Sequence, residues 1–294
     1  MGENTIIIIV GPTAVGKTAA AIRLALQEHT KIISADSRQC YRELNIGVAK
    51  PSGEELATVH HYFIDSHSIR EEVNAAVFEE LALHWTEDIF RETSTAVMVG
   101  GTGLYIKAFT DGLDAIPAVD PGIRGDLQQQ YELNGIEWLQ QQVSIRDPAF
   151  FAEGERQNPQ RLLRALEVVL STGRSILSFR SRTIRQRPFQ IRKIGLDLPK
   201  DELHRRINDR VDGMIAQGLV EEVRALTPYR YHNALQTVGY KEIFEYLDGD
   251  CSLDKAVADI KLNTRRYAKR QLTWFRKDPS VEWIDLQKIS TFKL

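Results

Sequence analysis

The sequence predicts an α/β protein in which a parallel sheet flanked by helices is interrupted by an all-helical insertion. Three observations carry the prediction. Short runs apolar on both faces, at residues 5–10, 31–35 and 96–99, alternate with helical stretches, as strands buried between helix layers do. From 111 to about 188 the strand-like runs vanish and helix punctuation replaces them. A further apolar run at 191–198 then resumes the sheet pattern, so the chain divides into 1–112, 113–189 and 190–294, the first and last forming one core.

The first strand runs into Gly-Pro-Thr-Ala-Val-Gly-Lys-Thr at 11–18, and an Ala-rich helix at 19–26 follows. Strand, glycine loop and helix in that order give G-x-x-x-x-G-K-[ST] its phosphate-binding context and make the sheet P-loop NTPase-like. Gly11, Pro12, Thr13, Ala14, Val15, Gly16, Lys17 and Thr18 therefore form the candidate diphosphate or nucleotide site. The two glycines let the backbone turn so that successive N–H groups face one anion, and the helix dipole adds to them. Lys17 supplies a mobile charge and Thr18 a hydroxyl for Mg²⁺. Any diphosphate offers the same oxygens, so a nucleotide such as ATP is only the default ligand.

In a parallel sheet, ligands gather at the C-terminal strand edge. The phosphate loop, residues 36–39 and residues 100–104 are expected to meet there. The strand at 96–99 ends in Gly-Gly-Thr-Gly without a carboxylate, which leaves Asp36 as the nearest acid, with a turn or N-cap role as its bland alternative. Gly100, Gly101 and Gly103 around Thr102 point to a loop that approaches a ligand closely, or to a simple tight turn. His60 and His61 are adjacent and would face opposite sides of a strand, so they are read as structural.

In the insertion, Asp120-Pro121, Asp147-Pro148 and Asn158-Pro159 read as helix starts, and Gly135 and Gly173 as stops. Leu162, Leu166 and Val169 share one helical face, with Arg161 and Arg164 opposite. Between Arg156 and Lys193 stand ten Lys or Arg against one acid, Glu167, a local excess of nine in a chain whose net charge is −2. With Phe179 and Phe189 interleaved, the run favours a nucleic-acid backbone over a merely solvated face. After the strand at 191–198, a helix begins at 199–201 and carries Arg206 and Arg210 at i, i+4, either exposed or clamping a phosphate. Helical texture returns at 236–247 and 253–274, the latter with Arg265, Arg266, Lys269 and Arg270, and 281–286 reads as a closing strand.

Composition, with 43% hydrophobic and 27% charged residues, is that of an ordinary globular protein. Cys40 and Cys251 have no metal-ligand spacing, which fits a reducing compartment without disulfides. The start reads as neither a secretory signal nor a myristoylation site, and no apolar run approaches the roughly 20 residues that span a bilayer. A cytoplasmic protein without a membrane partner is expected.

Six segments carry a resemblance. Gly-Pro-Thr-Ala-Val-Gly-Lys-Thr, Ile-Ser-Ala-Asp-Ser-Arg-Gln-Cys-Tyr-Arg, Asn-Ile-Gly-Val-Ala-Lys-Pro, Val-Gly-Gly-Thr-Gly-Leu-Tyr, Asn-Pro-Gln-Arg-Leu-Leu-Arg-Ala-Leu-Glu and Thr-Val-Gly-Tyr-Lys-Glu are similar in order and spacing to the signatures of the tRNA dimethylallyltransferases, or tRNA isopentenyltransferases. The likeness runs from Ile6 to about Trp274. It implies transfer of a dimethylallyl group from dimethylallyl diphosphate to N6 of the adenosine 3′ of the anticodon. It also implies that Thr13 to Thr18 hold the diphosphate, that Thr18 helps bind Mg²⁺, and that Arg210 clamps the diphosphate beside Lys17. By the same resemblance Asp36 is the general base and contacts the adenine, and Thr102 touches the target nucleotide. Asp36, Ser37, Arg38, Gln39, Arg124, Gln160, Arg161, Leu162, Leu163, Arg164, Thr237, Val238, Gly239, Tyr240 and Lys241 match tRNA-contacting segments, and the insertion matches the arm on the anticodon stem.

Val15 stands where the family often has Ser, Asn45 where it often has Asp, and Val48 where Thr is common; the hydroxyls lost at 15 and 48 are expected to weaken polar contacts near the phosphates, with Lys17 and Thr18 intact. The absence of a zinc-finger extension after Trp274 resembles the bacterial form, expected as a monomer. Two alternatives stay open from the residues alone. An ATP-dependent small-molecule kinase would use the phosphate loop but not the basic run, and an adenylate isopentenyltransferase would act on free AMP.

Overall fold

The computed structural model describes residues 4–181 and 183–285 of the 294. Met1 and Gly2 of the start, Arg182 of the basic run and Leu286 of the closing strand lie outside the described residues. The chain forms two compact units, Met1–Thr110 with Gln186–Leu294, and Asp111–Arg185.

The first unit opens with β1 (Thr5–Val10), α1 (Lys17–Gln27), β2 (Ile32–Ser34), α2 (Gly53–Thr58), β3 (His61–Tyr62), α3 (Ala75–Phe90), β4 (Thr95–Val99) and α4 (Gly103–Asp111). The second unit contains α5 (Pro121–Arg146), α6 (Pro148–Glu153) and α7 (Pro159–Thr172). The chain then returns through β5 (Gln190–Asp197), α8 (Lys200–Ala216), α9 (Leu219–Ala225), α10 (Tyr240–Leu247), α11 (Leu253–Phe275) and β6 (Val281–Asp285).

The strands form one sheet in the order β3-β2-β4-β1-β5-β6, every pairing parallel. Helices cover it, giving the P-loop NTPase-like α/β fold. Ile6 to Val10 of the central β1 are each no more than 2% exposed, which is why that run is apolar on both faces. The two-residue β3 is an addition to the expected strands, since two residues carry no readable period.

The second unit buries its own cluster, including Leu139, Val143, Phe150, Leu162 and Leu166. Its punctuation is physical. Asp147 accepts from Phe150 N at 3.0 Å, Asn158 from Arg161 N at 3.2 Å, and Gly173 ends α7 with φ 68°. At Gly135 the backbone (φ 74°, ψ −171°) leaves the helix, so α5 is two helices joined at that residue.

Residues 186–189 belong with the sheet rather than the insertion for a specific reason. Arg187 pairs with buried Glu79 at 2.7 Å and donates to the carbonyls of Phe109 (2.7 Å) and Ala108 (2.9 Å) at the end of α4. Phe189 packs against Phe90 and Phe109. It is half-buried against the aromatics of the sheet unit rather than interleaved with the cations of the insertion.

Candidate active site

The phosphate loop leaves β1 through Gly11 (φ 145°), where a Cβ would meet the Leu196 carbonyl at 2.6 Å, and enters α1 through Gly16 (φ 102°). Thr13, Ala14, Gly16, Lys17 and Thr18 line a cavity of about 340 Å³. Gly11, Pro12 and Val15 shape the loop from behind. Val15 is fully buried in the sheet core and does not line the cavity, so it fills a packing position rather than facing the phosphates as expected. Val48 does line the cavity.

Three basic side chains, Lys17, Lys50 and Arg210, line the cavity with two acids, Asp36 and Glu55. Lys17 donates to the Pro12 carbonyl at 2.7 Å. Its pKa falls from 10.5 to about 7, first because burial strips water from the ammonium, then because Arg210 repels it, while Asp36 opposes the shift. Arg210 reaches in from α8 and donates to Thr13 Oγ1 at 3.2 Å. Burial lowers its pKa too, with Glu55 opposing. Two partly desolvated cations that repel each other across one chamber favour a polyanionic ligand. Arg206 does not join the clamp, because its guanidinium is held by Glu202 one turn earlier at 2.7 Å.

A second chamber adjoins the first and shares Thr13, Asp36, Val48, Ala49, Arg210 and Tyr267 with it. It extends to Arg38 and to Thr237, Val238 and Gly239. Asp36 sits where the two meet. Asp36 Oδ1 accepts from Arg38 N (2.9 Å) and Gln39 N (3.4 Å), which is the turn role, and the side chain also lines both chambers. Thr102 lines neither chamber. Its Oγ1 accepts from Ser37 N at 3.1 Å and braces the loop that carries Asp36.

Gly100 and Gly101 line the first chamber, and Gly100, Gly101 and Gly103 are also crowded by the protein itself. A Cβ there would lie 2.2 Å from the Ala35 carbonyl, 2.0 Å from Gln271 and 2.2 Å from Trp274 respectively. His61 also lines the first chamber, with Nδ1 against the Val59 carbonyl at 2.8 Å.

Sequence reasoning missed Gln271 and Tyr267, both on α11, which line the first chamber. Gln271 is 6% exposed, accepts from Thr13 N at 2.8 Å and donates to the Gly101 carbonyl at 3.0 Å, so it joins the phosphate loop to the glycine loop. Its only sequence signal is a neutral amide inside a basic helix. Gln271→Ala is expected to lower stability by about 1–3 kcal/mol by leaving two backbone groups unpaired. The urea midpoint measures this, and an unchanged midpoint refutes it.

A family model described as "IPP transferase" matches residues 39–278. The chain belongs to the tRNA dimethylallyltransferase family. It is 47% identical over 288 residues to the tRNA dimethylallyltransferase of Christiangramia forsetii, covering 98% of this chain and 95% of that one. To tRNA dimethylallyltransferase 1 of Bacteroides thetaiotaomicron it is 43% identical over 279 residues, with 95% and 91% covered. Among solved structures, the full-length tRNA isopentenylpyrophosphate transferase from Bacillus halodurans superposes with a TM-score of 0.72 at 37% identity, covering 98% of this chain and 94% of that one.

Not every residue expected to contact tRNA faces outward. Leu162 and Leu163 are 0% and 5% exposed in the core of the second unit, and Tyr240 is 0% exposed in the first. Gln160, Arg161 and Lys241 are exposed. Arg124 and Arg164 both pair with buried Glu167 at 3.0 Å, which places the run's single acid beneath two of the unit's cations. The basic run itself divides between units. Arg187, Arg192 and Lys193 belong to the sheet-containing unit and pair with Glu79, Glu282 and Asp278. Phe179 lies under Arg174, with the guanidinium 4.7 Å from the ring centre. Among the described residues no helix is long and apolar enough to cross a membrane.

Proposed function

We propose that this protein transfers a dimethylallyl group from dimethylallyl diphosphate to N6 of the adenosine 3′-adjacent to the anticodon in tRNA, releasing diphosphate. The observation that supports this most is the position of Asp36, shared by a cationic chamber on the phosphate loop and a chamber reaching Thr237 to Gly239. A diphosphate in the first chamber presents its allylic carbon toward the second, where a flipped-out adenine meets it.

The N6 lone pair forms the new C–N bond as the allylic C–O bond breaks, and the released electron pair leaves on the diphosphate. Loop amides, Lys17 and Arg210 stabilise that charge as it develops. An exocyclic amine is too weak an acid for a carboxylate in the ground state, so Asp36 takes the N6 proton only as the C–N bond forms. Val48, Ala49 and the adenine itself keep water from the cation-like carbon.

Mg²⁺ fits this chamber as an ion held mainly by substrate oxygens. Thr18 supplies a hard hydroxyl oxygen there, and the described residues hold no cluster of three or more His, Cys, Asp or Glu that would cage an ion. When bound, the ion neutralises charge on the departing diphosphate.

Incubation with Mg²⁺, dimethylallyl diphosphate and an anticodon stem-loop is expected to add one five-carbon unit to the target adenosine, read by mass spectrometry. ATP turnover with the RNA left unmodified would favour the kinase alternative and sink this reading. Exposed Arg161 is the cleaner probe of the helical unit, because Arg164 is already committed to Glu167. Arg161→Glu is expected to weaken RNA binding and reduce the salt slope by about 1. An unaltered binding curve across salt would remove this surface from RNA contact.

A further inference from the structure

The segment from Asn45 to Lys50 forms one wall of the two chambers, with Val48 and Ala49 facing both. It has no regular secondary structure, and Ala49 holds a left-handed backbone (φ 48°). Within it Ala49 N and Lys50 N bond back to the carbonyls of Ile46 and Asn45, which leaves the amides of Asn45, Ile46 and Gly47 to find a partner elsewhere. Glu222, on α9, provides this. Its Oε2 accepts from Asn45 N (3.2 Å) and Ile46 N (2.8 Å), and its Oε1 from Gly47 N (3.1 Å) and the Tyr240 hydroxyl (2.6 Å). The Tyr240 ring lies so close to Gly47 that a Cβ there would stand 2.5 Å from it.

The wall in turn grips the loop that carries the base. Gln39 Nε2 donates to the carbonyls of Val48 (3.2 Å) and Ala49 (2.9 Å), and Gln39 N donates to Asp36 Oδ1. One carboxylate on a distant helix thus holds the Asn45 to Gly47 end of the wall, which grips the loop of Asp36 through Gln39, while Lys50 anchors the other end on the Tyr41 carbonyl at 2.6 Å.

We infer that Glu222 is a positioning residue of the prenyl transfer, holding the Asn45 to Lys50 wall closed over the reacting carbon; this rests on the reaction proposed above. With the wall loosened, water reaches that carbon. The C–O bond still breaks with its electron pair on the diphosphate, but water oxygen bonds the carbon and loses its proton to solvent, giving a five-carbon alcohol and free diphosphate. The signature is therefore a change in partition rather than only a loss of rate.

The test measures diphosphate release and RNA modification together for wild type, Glu222→Gln and Tyr240→Phe, alongside melting temperature. Wild type is expected to release about one diphosphate per prenylated RNA when water is excluded. In Glu222→Gln the amide nitrogen faces a donor, and kcat/KM for transfer is expected to fall about tenfold while the release ratio rises above one. Tyr240→Phe removes a single bond from Glu222 and is expected to move the ratio the same way by less. It carries the test if Glu222→Gln folds poorly.

A wild-type ratio retained in both variants, even with fewer active molecules, overturns the positioning role and leaves a structural one. Wild type that releases no diphosphate and leaves RNA unmodified sinks the proposed reaction first, and the inference with it.

Discussion

Asp36→Asn is expected to lower turnover by about 10²–10⁴ while leaving tRNA affinity nearly unchanged. Asparagine is the informative replacement because the residue holds a turn as well as the base role proposed for it. Its Oδ1 holds Arg38 N and Gln39 N in a turn, and an amide oxygen can accept the same two bonds. What the amide cannot do is take the N6 proton as the C–N bond forms. Asp36→Ala removes both functions and is expected to lower thermal stability as well. Single-turnover rates and RNA-binding curves for the two variants separate the duties, and near-normal turnover in Asp36→Asn would remove this residue from the base role.

Lys17→Ala is expected to cost about 10²–10³ in kcat/KM for the allylic diphosphate, since it deletes one preorganised charge from the leaving-group cradle. The free protein's Lys17, with a pKa of about 7, loses its charge as pH rises through neutrality. A bound diphosphate restores that charge, so donor binding above pH 7 takes up a proton and weakens as pH increases. Calorimetry in buffers of different ionisation heat measures this uptake, and Lys17→Ala should abolish it.

The same shift has a stability consequence of definite sign. Between about 7 and 10.5 the unfolded chain holds a proton on Lys17 that the folded state does not, so this group's contribution to stability of the ligand-free protein rises with pH through that window.

Elements whose signal is local are legible in the residues alone. The apolar runs of β1 and β4 announce buried parallel strands, and the glycines of the phosphate loop announce a turn that only a small residue permits at Gly11 and Gly16. Asn158 and Gly173 mark the ends of α7 because caps act within a few residues of themselves. Asp36 is legible from its place at the end of a strand. A signal counted along the chain misleads where the fold divides it. The basic run from Arg156 to Lys193 reads as one surface, yet Arg187, Arg192 and Lys193 are paired within the sheet unit and Arg164 rests on Glu167.

By itself, then, the sequence determined a parallel sheet, a phosphate loop at its edge, a helical insertion and family membership, because each is written in contiguous residues or in their spacing. Only the tertiary structure decided that Gln271 ties Thr13 to Gly101, that Glu222 holds the amides of Asn45, Ile46 and Gly47, and that Val15 is core. Those roles belong to side chains whose partners lie far off along the chain, as Thr13 does from Gln271, 258 positions away. Hydrogen bonds act over about 3 Å in space, and no period in the sequence records a neighbour that only folding brings near.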